Sequence, residues 1–155
     1  RNASLALIFC EANESARAYS VPKHRHLSEI EQELSKAAQQ PIVMSFTPHL
    51  IPVHNGICTT TSAKLTADPD QVQQALEQAY GDEFFVRLLG KGSCADTKNV
   101  TGTNFIDIGW DYDPRTGRVL LLSAEDNLGK GAAGQAIQNF NLICSFPETD
   151  GLQNF

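Results

Sequence analysis

No apolar run in this 155-residue chain approaches the roughly 20 residues that a membrane-spanning helix requires, so no membrane association is expected. Basic charge is also short: 12 Lys and Arg face 18 Asp and Glu, leaving a net charge of −6. That balance argues against a general binder of nucleic acid or anionic lipid. An anionic substrate would need a local basic pocket, and Lys23, Arg25 and Lys130 are available to help build one. The four cysteines, Cys10, Cys58, Cys94 and Cys144, stand far apart and form no CxxC pair. They read as reduced, mostly buried thiols of a cytoplasmic protein. No internal repeat or low-complexity tract is present. No signal-peptide pattern opens the chain, so the Asn-x-Ser/Thr triplets at Asn2, Asn13 and Asn99 read as chance matches. The first residue is Arg1 rather than Met, and the chain is expected to be cut from something longer.

What is present fits one soluble globular domain, with 41% hydrophobic and 19% charged residues. The stretch that organises it is Lys23-His24-Arg25-His26-Leu27-Ser28-Glu29-Ile30-Glu31-Gln32. If His24 to His26 is extended, both imidazoles share a face beside a fixed guanidinium charge. A helix over residues 28–39 follows, with Ile30 and Leu34 on one side. Ser28 and Glu31 fit a capping box, although Leu27 is an equal candidate for the N-cap. A junction of this kind suits acid/base chemistry or anion binding; its plain alternative is a solvated basic turn.

Along the rest of the chain, the apolar residues 3–10 form a short helix or strand. Ile42 to Phe46 reads as a buried strand, and Ile57 to Leu65 as a long one. A second helix over 69–80 has Asp68 as N-cap, Pro69 in its first turn and Gly81 at its end. Its stripe of Val72, Ala75, Leu76, Ala79 and Tyr80 is a packing face. Phe84 to Leu89 is a further strand, and residues 90–99 are loose and polar. Two strands, 104–112 and 118–125, are joined by Asp113-Pro114-Arg115-Thr116-Gly117 as a hairpin. Asp126 and Asn127 lead into Gly129-Lys130-Gly131-Ala132-Ala133-Gly134-Gln135-Ala136, whose small residues permit close approach of a ligand or helix. A third helix over 130–142 continues from there, and the tail from Phe146 lies along a surface. Runs of strands with helices between some of them predict an α+β fold, with a mixed or mainly antiparallel sheet and helices on one face.

Taken together, His24-Arg25-His26-Leu27-Ser28-Glu29-Ile30, Phe46-Thr47-Pro48-His49-Leu50 and Asp126-Asn127-Leu128-Gly129-Lys130-Gly131-Ala132-Ala133-Gly134-Gln135-Ala136 resemble the N-acetyl-gamma-glutamyl-phosphate reductase family. Arg1 and Pro147-Glu148-Thr149-Asp150-Gly151-Leu152 are similar to corresponding stretches of that family, so the resemblance runs nearly the whole length. It implies a reductase of arginine biosynthesis that converts N-acetyl-glutamyl phosphate to the semialdehyde with NADPH. The implied architecture pairs a Rossmann NADP-binding domain with an α+β domain like the C-terminal domain of glyceraldehyde-3-phosphate dehydrogenase. Residues 1–155 resemble the second domain only, the one for catalysis and dimerisation. No GxGxxG turn follows an initial strand, and no cysteine here sits in the family's Gly-Cys-Tyr-Pro nucleophile motif. The chain alone is therefore expected to be inactive, and a homo-oligomer is expected.

By the same resemblance, His26 is the expected acid/base, with His24 the second choice. Arg25 would bind the substrate carboxylate or phosphate, or else form an ion pair with Glu29 or Glu31. Glu29 would orient His26, or simply place negative charge at a helix N-terminus. Asn127 would reach the nicotinamide carboxamide, with Lys130 and Gly131 nearby; the alternative is a tight loop before a close-packed helix. His49, between two prolines, reads as structural. Two positions depart from the family's pattern: Ser28 replaces a usual proline, and Asn55 precedes Gly56 where many members have arginine. Two rival classes remain open. One is a non-catalytic dimerisation module. The other is a metal hydrolase using His24, His26, Glu29 and His49, although no further ligand motif supports a metal.

Overall fold

The computed structural model describes residues 8–152, which divide between His54 and Asn55 into two compact units. Arg1 to Ala6, Leu7 and the last three residues lie outside the described range, and with them Asn2 and most of the apolar opening.

The first unit contains α1 (Phe9–Ala12), β1 (Arg17–Ala18), α2 (Leu27–Ala38) and β2 (His49–Leu50). β1 and β2 pair antiparallel, and Tyr19 N–H extends the pairing to the Pro48 carbonyl at 3.1 Å. The helix expected over 28–39 is present, but it begins one residue early, after His26, without a side-chain cap. Glu31 does not complete a capping box, because its Oε1 accepts the Met44 N–H at 3.0 Å. Ser35 Oγ likewise accepts the Ile42 N–H at 2.9 Å. These two bonds correct the expectation of a buried strand over Ile42 to Phe46. The segment alternates half-buried Ile42, Met44 and Phe46 with exposed Val43 and Ser45, yet it lies along helix side chains instead of a neighbouring strand. α2 ends on Gln39 in the left-handed region, at φ +53°. No described residue of this unit is fully buried.

The second unit is built on a four-stranded sheet of β3 (Ile57–Lys64), β4 (Val86–Lys91), β5 (Ile106–Asp113) and β6 (Arg118–Glu125), in the order β3-β6-β5-β4. β5 and β6 form the expected hairpin around Gly117, and β3 pairs antiparallel with β6. β4 runs parallel to β5, so the sheet is mixed. Parallel neighbours need a crossover. Here it is the segment 92–105, which brings the Ser93 carbonyl so close to Gly109 that any Cβ there would collide with it.

α3 (Asp70–Tyr80) starts as expected: Asp68 Oδ1 accepts the Asp70 N–H at 3.0 Å. Strand alternation puts Ile106, Trp110, Leu121 and Glu125 on one sheet face. α3 lies over that face, where Gln73 Oε1 accepts the Trp110 Nε1–H at 2.7 Å. The turn Gly129–Ala133 lies over it too, with Gly131 against Ile57 and Glu125. The core of this unit is Phe85, Val100, Trp110, Val119, Ala124 and Leu152.

α4 (Gly134–Ile143) has its polarity reversed. It buries Gly134, Gln138 and Asn141 and leaves Ile137, Phe140, Leu142 and Ile143 exposed. Its buried amides hold the tail: Asn141 Nδ2 donates to the carbonyls of Glu148 and Asp150 at 3.1 and 2.9 Å. The tail expected to lie on a surface is thus pinned, with Leu152 buried. The four cysteines are all free and all exposed, which corrects the expectation of buried thiols. Cys10 lies in the unit without a core and Cys58 on the edge strand β3, so neither position offers burial. No helix among the described residues is long and apolar enough to cross a membrane.

Candidate functional site

The expected site residues fall into two clusters, one in each unit. In the first, His24, Arg25 and His26 form a turn rather than an extended strand, closed by the Leu27 N–H on the His24 carbonyl at 3.0 Å. The two rings still meet, edge to face, with centroids 4.9 Å apart. His24 is half-buried and also packs edge-on against Tyr19 and Phe46, at 5.5 and 5.6 Å. Its Nδ1 accepts the His26 backbone N–H at 3.3 Å, which makes it the ring that shapes the turn. His26 is exposed. Its Nε2 accepts from Arg25 Nε at 3.1 Å, and no described residue hydrogen-bonds to its Nδ1.

Arg25 therefore engages the neighbouring imidazole and not Glu29 or Glu31. Glu29 sits exposed in the first turn of α2, and no hydrogen bond joins it to His26. His49 Nδ1 lies 3.2 Å from the Thr47 carbonyl, a local structural contact. No group of three or more His, Cys, Asp or Glu side chains suited to a metal occurs among the described residues. Tyr19 and Phe46, the supports of His24, had no signal beyond their aromatic character.

The second cluster surrounds the turn after β6. Asp126 is 2% exposed, and its carboxylate gathers donors from three segments. Oδ1 accepts the N–H groups of Leu128 and Gly129 at 2.7 and 3.1 Å. Oδ2 accepts the Gly102 N–H at 2.7 Å, with Asn55 Nδ2 at 3.5 Å. Burial opposes ionisation here, but those donors outweigh it and hold the carboxyl below its ordinary range. Asn127 is half-buried, and its Oδ1 accepts the Gly56 N–H at 2.8 Å. Gly56 has φ +131°, and a Cβ there would meet the Thr97 side chain at 2.8 Å, so this contact depends on glycine.

Lys130 turns inward. Its Nζ donates to Gln138 Oε1 at 2.7 Å and lies 5.6 Å from the Phe85 ring centroid. Gln138 is fixed in turn by Asn104 Nδ2 at 3.0 Å and by donating to Glu148 Oε1 at 2.6 Å. Burial lowers the Lys130 pKa, against the pull of Glu125, Glu148 and Glu83. Burial raises the Glu125 pKa, which Lys130 opposes and Asp126 assists. Asp126, Gln138 and Glu148 escaped sequence reading as a set. Only Asp126, three residues before Gly129, carried a local turn signal.

The chain as a whole has relatives among known proteins. A family model described as the semialdehyde dehydrogenase dimerisation domain matches residues 1–127. The chain belongs to this family. A relative from Akkermansia muciniphila, named N-acetyl-gamma-glutamyl-phosphate reductase, is 66% identical over 98% of the chain and 44% of its own length. Relatives of the same name from Lachnospira eligens and Acetivibrio thermocellus are 47% and 49% identical over 99% of the chain and 45% of their own lengths. The chain thus spans just under half the length of the curated relatives it matches. Among solved structures, aspartate semialdehyde dehydrogenase II from Vibrio cholerae aligns with a TM-score of 0.64 at 21% identity, covering 85% of this chain and 42% of that one. The fold of this semialdehyde dehydrogenase domain is accordingly the α+β type expected, like the C-terminal domain of glyceraldehyde-3-phosphate dehydrogenase.

Proposed function

We propose that this domain is the catalytic and dimerisation part of a cytoplasmic, NADP-dependent N-acetyl-gamma-glutamyl-phosphate reductase of arginine biosynthesis. The observation that carries the reading is identity of this level, over nearly the whole chain, to proteins named for that reaction. Within the longer protein, a cysteine thiolate would displace phosphate from N-acetyl-glutamyl phosphate, and the resulting thioester would be reduced to the semialdehyde. Bound NADPH supplies the hydride.

The tetrahedral stages need a proton to be held and moved, and His26 fits that task better than His24. It is exposed and has a ring nitrogen without a partner among the described residues, whereas His24 is spent on Tyr19, Phe46 and the turn. Arg25 holds the His26 ring in place and offers its remaining guanidinium N–H groups to the substrate carboxylate or phosphate. Glu29 adds negative charge beside the turn and belongs to the substrate-binding set by position alone.

Asn127, Lys130 and Gly131 suit the nicotinamide carboxamide of NADP better than the phosphates of the dinucleotide. The turn offers a half-buried amide and close backbone approach, while the Lys130 ammonium is already bonded to Gln138. NADP phosphates would be held elsewhere in the longer protein. A homodimer is the proposed assembly, as the family model's description suggests. The deciding experiment is phosphate-dependent oxidation of N-acetyl-glutamate semialdehyde, followed as NADPH formation. The full-length protein should turn over and this chain alone should not. Turnover by the chain alone would make one of its own cysteines the nucleophile and overturn the reading.

A further inference from the structure

We infer that Asp126 is a positioning residue, which together with the Gly56 N–H determines which end of the Asn127 amide faces a bound ligand. The inference deepens the proposed nicotinamide role of Asn127 and rests on it. An asparagine amide has an acceptor end and a donor end of nearly equal size, so a ligand contact depends on which one is presented. Here the choice is made by the protein. The Asn127 Oδ1 is taken by the Gly56 N–H at 2.8 Å, and no described residue accepts from Nδ2. The site therefore presents a donor, suited to the carbonyl oxygen of a carboxamide.

What keeps Gly56 and Asn127 in register is the carboxylate one residue earlier. Asp126 is buried to 2% exposure and reaches the Gly102 amide, the Leu128 and Gly129 amides, and the Asn55 side chain that precedes Gly56. The Gly131 N–H closes the same turn on the Asp126 carbonyl at 2.9 Å. Loop 55–56, loop 102 and turn 128–131 are thus tied at one residue. A carboxylate can do this because both its oxygens accept, and every group facing it donates. An amide of the same shape cannot: one end of Asn at position 126 would point N–H groups at N–H groups.

Three variants test this, with wild type alongside. In the 155-residue chain, Asp126→Asn should speed hydrogen exchange at the Gly56 and Gly102 amides. In the full-length protein it should raise the Kd for NADPH about tenfold, the size expected for one misplaced hydrogen bond, while Asp126→Glu recovers part of the loss. Asn127→Asp keeps the acceptor for Gly56 but loses the Nδ2 donor. It should leave Gly56 protected and Tm nearly unchanged, yet weaken NADPH by a similar factor, so the question stays answerable if Asp126→Asn folds poorly. Wild-type NADPH affinity in Asn127→Asp, or unchanged Gly56 exchange in Asp126→Asn, would overturn the inference. Failure of the wild-type full-length protein to bind NADPH would instead sink the proposed function, and Gly56 exchange would still report whether the latch exists.

Discussion

The two units are assembled on different principles. Residues 55–152 contain every fully buried side chain of the described chain, around Phe85, Trp110 and the β5–β6 hairpin. Residues 8–54 contain none, and are held by a two-residue ladder, helix-to-backbone bonds from Glu31 and Ser35, and an aromatic contact set around His24. A buried core holds geometry through close packing. A unit held by exposed polar contacts opens locally at low cost. The proposed proton carrier, His26, sits in the second kind of structure, and the proposed nicotinamide contact, Asn127, in the first.

The sharpest way to break this comparison is chemical. In the full-length protein, His26→Ala should lower turnover by roughly two to four orders of magnitude, the usual loss for a general acid/base, and His24→Ala should do less. Full activity of the His26 variant, in the same NADPH assay, would move the acid/base role to His24 or elsewhere. Next in size is packing. Phe85→Ala should cost about 3–5 kcal/mol in urea unfolding followed by the fluorescence of Trp110, the sole tryptophan. Leu34→Ala, at a side chain 44% exposed on α2, should cost no more than about 0.5 kcal/mol. Equal losses would mean that the two units share one cooperative core.

The smallest expected effects are those of pH, and they have opposite signs at adjacent residues. Asp126 is held below its ordinary range, so it stabilises the folded chain above the unfolded value of about 3.9. That contribution is lost as pH falls through the folded value. Glu125 is raised, so its contribution is present below the unfolded value of about 4.3 and is lost as pH rises through the folded value. Thermal midpoints measured from about pH 2 to about pH 7 should therefore fall more gently with acid in Asp126→Asn than in wild type. Glu125→Gln should raise the midpoint slightly at neutral pH; a lowered midpoint there would mean that its attraction to Lys130 outweighs its burial.

Local chemistry was readable wherever a segment satisfies its own backbone. Asp68 and Pro69 start α3, Asp113 to Gly117 turn the β5–β6 hairpin, and the spacing of Ile30 and Leu34 marks α2; each is present near its expected bounds. The family resemblance pointed to His24–Glu29 and to Asn127–Gly131, two stretches whose residues are contiguous in the chain. Where the partner of a group lies far along the sequence, the chain alone was silent or misleading. Ile42 to Phe46 alternates like a strand, but its amides go to Glu31 and Ser35. α4 shows helical spacing, yet tertiary contacts choose its polar side for burial, since Gln138 and Asn141 satisfy Lys130, Asn104 and the tail carbonyls. Helix and turn formation depends on neighbours within four residues, which a sequence states directly. Which end of the Asn127 amide is taken, and which ring nitrogen of His26 is left open, depends on groups brought together only by folding: Gly56 from 71 positions away for the first, and the closing of the His24 turn for the second.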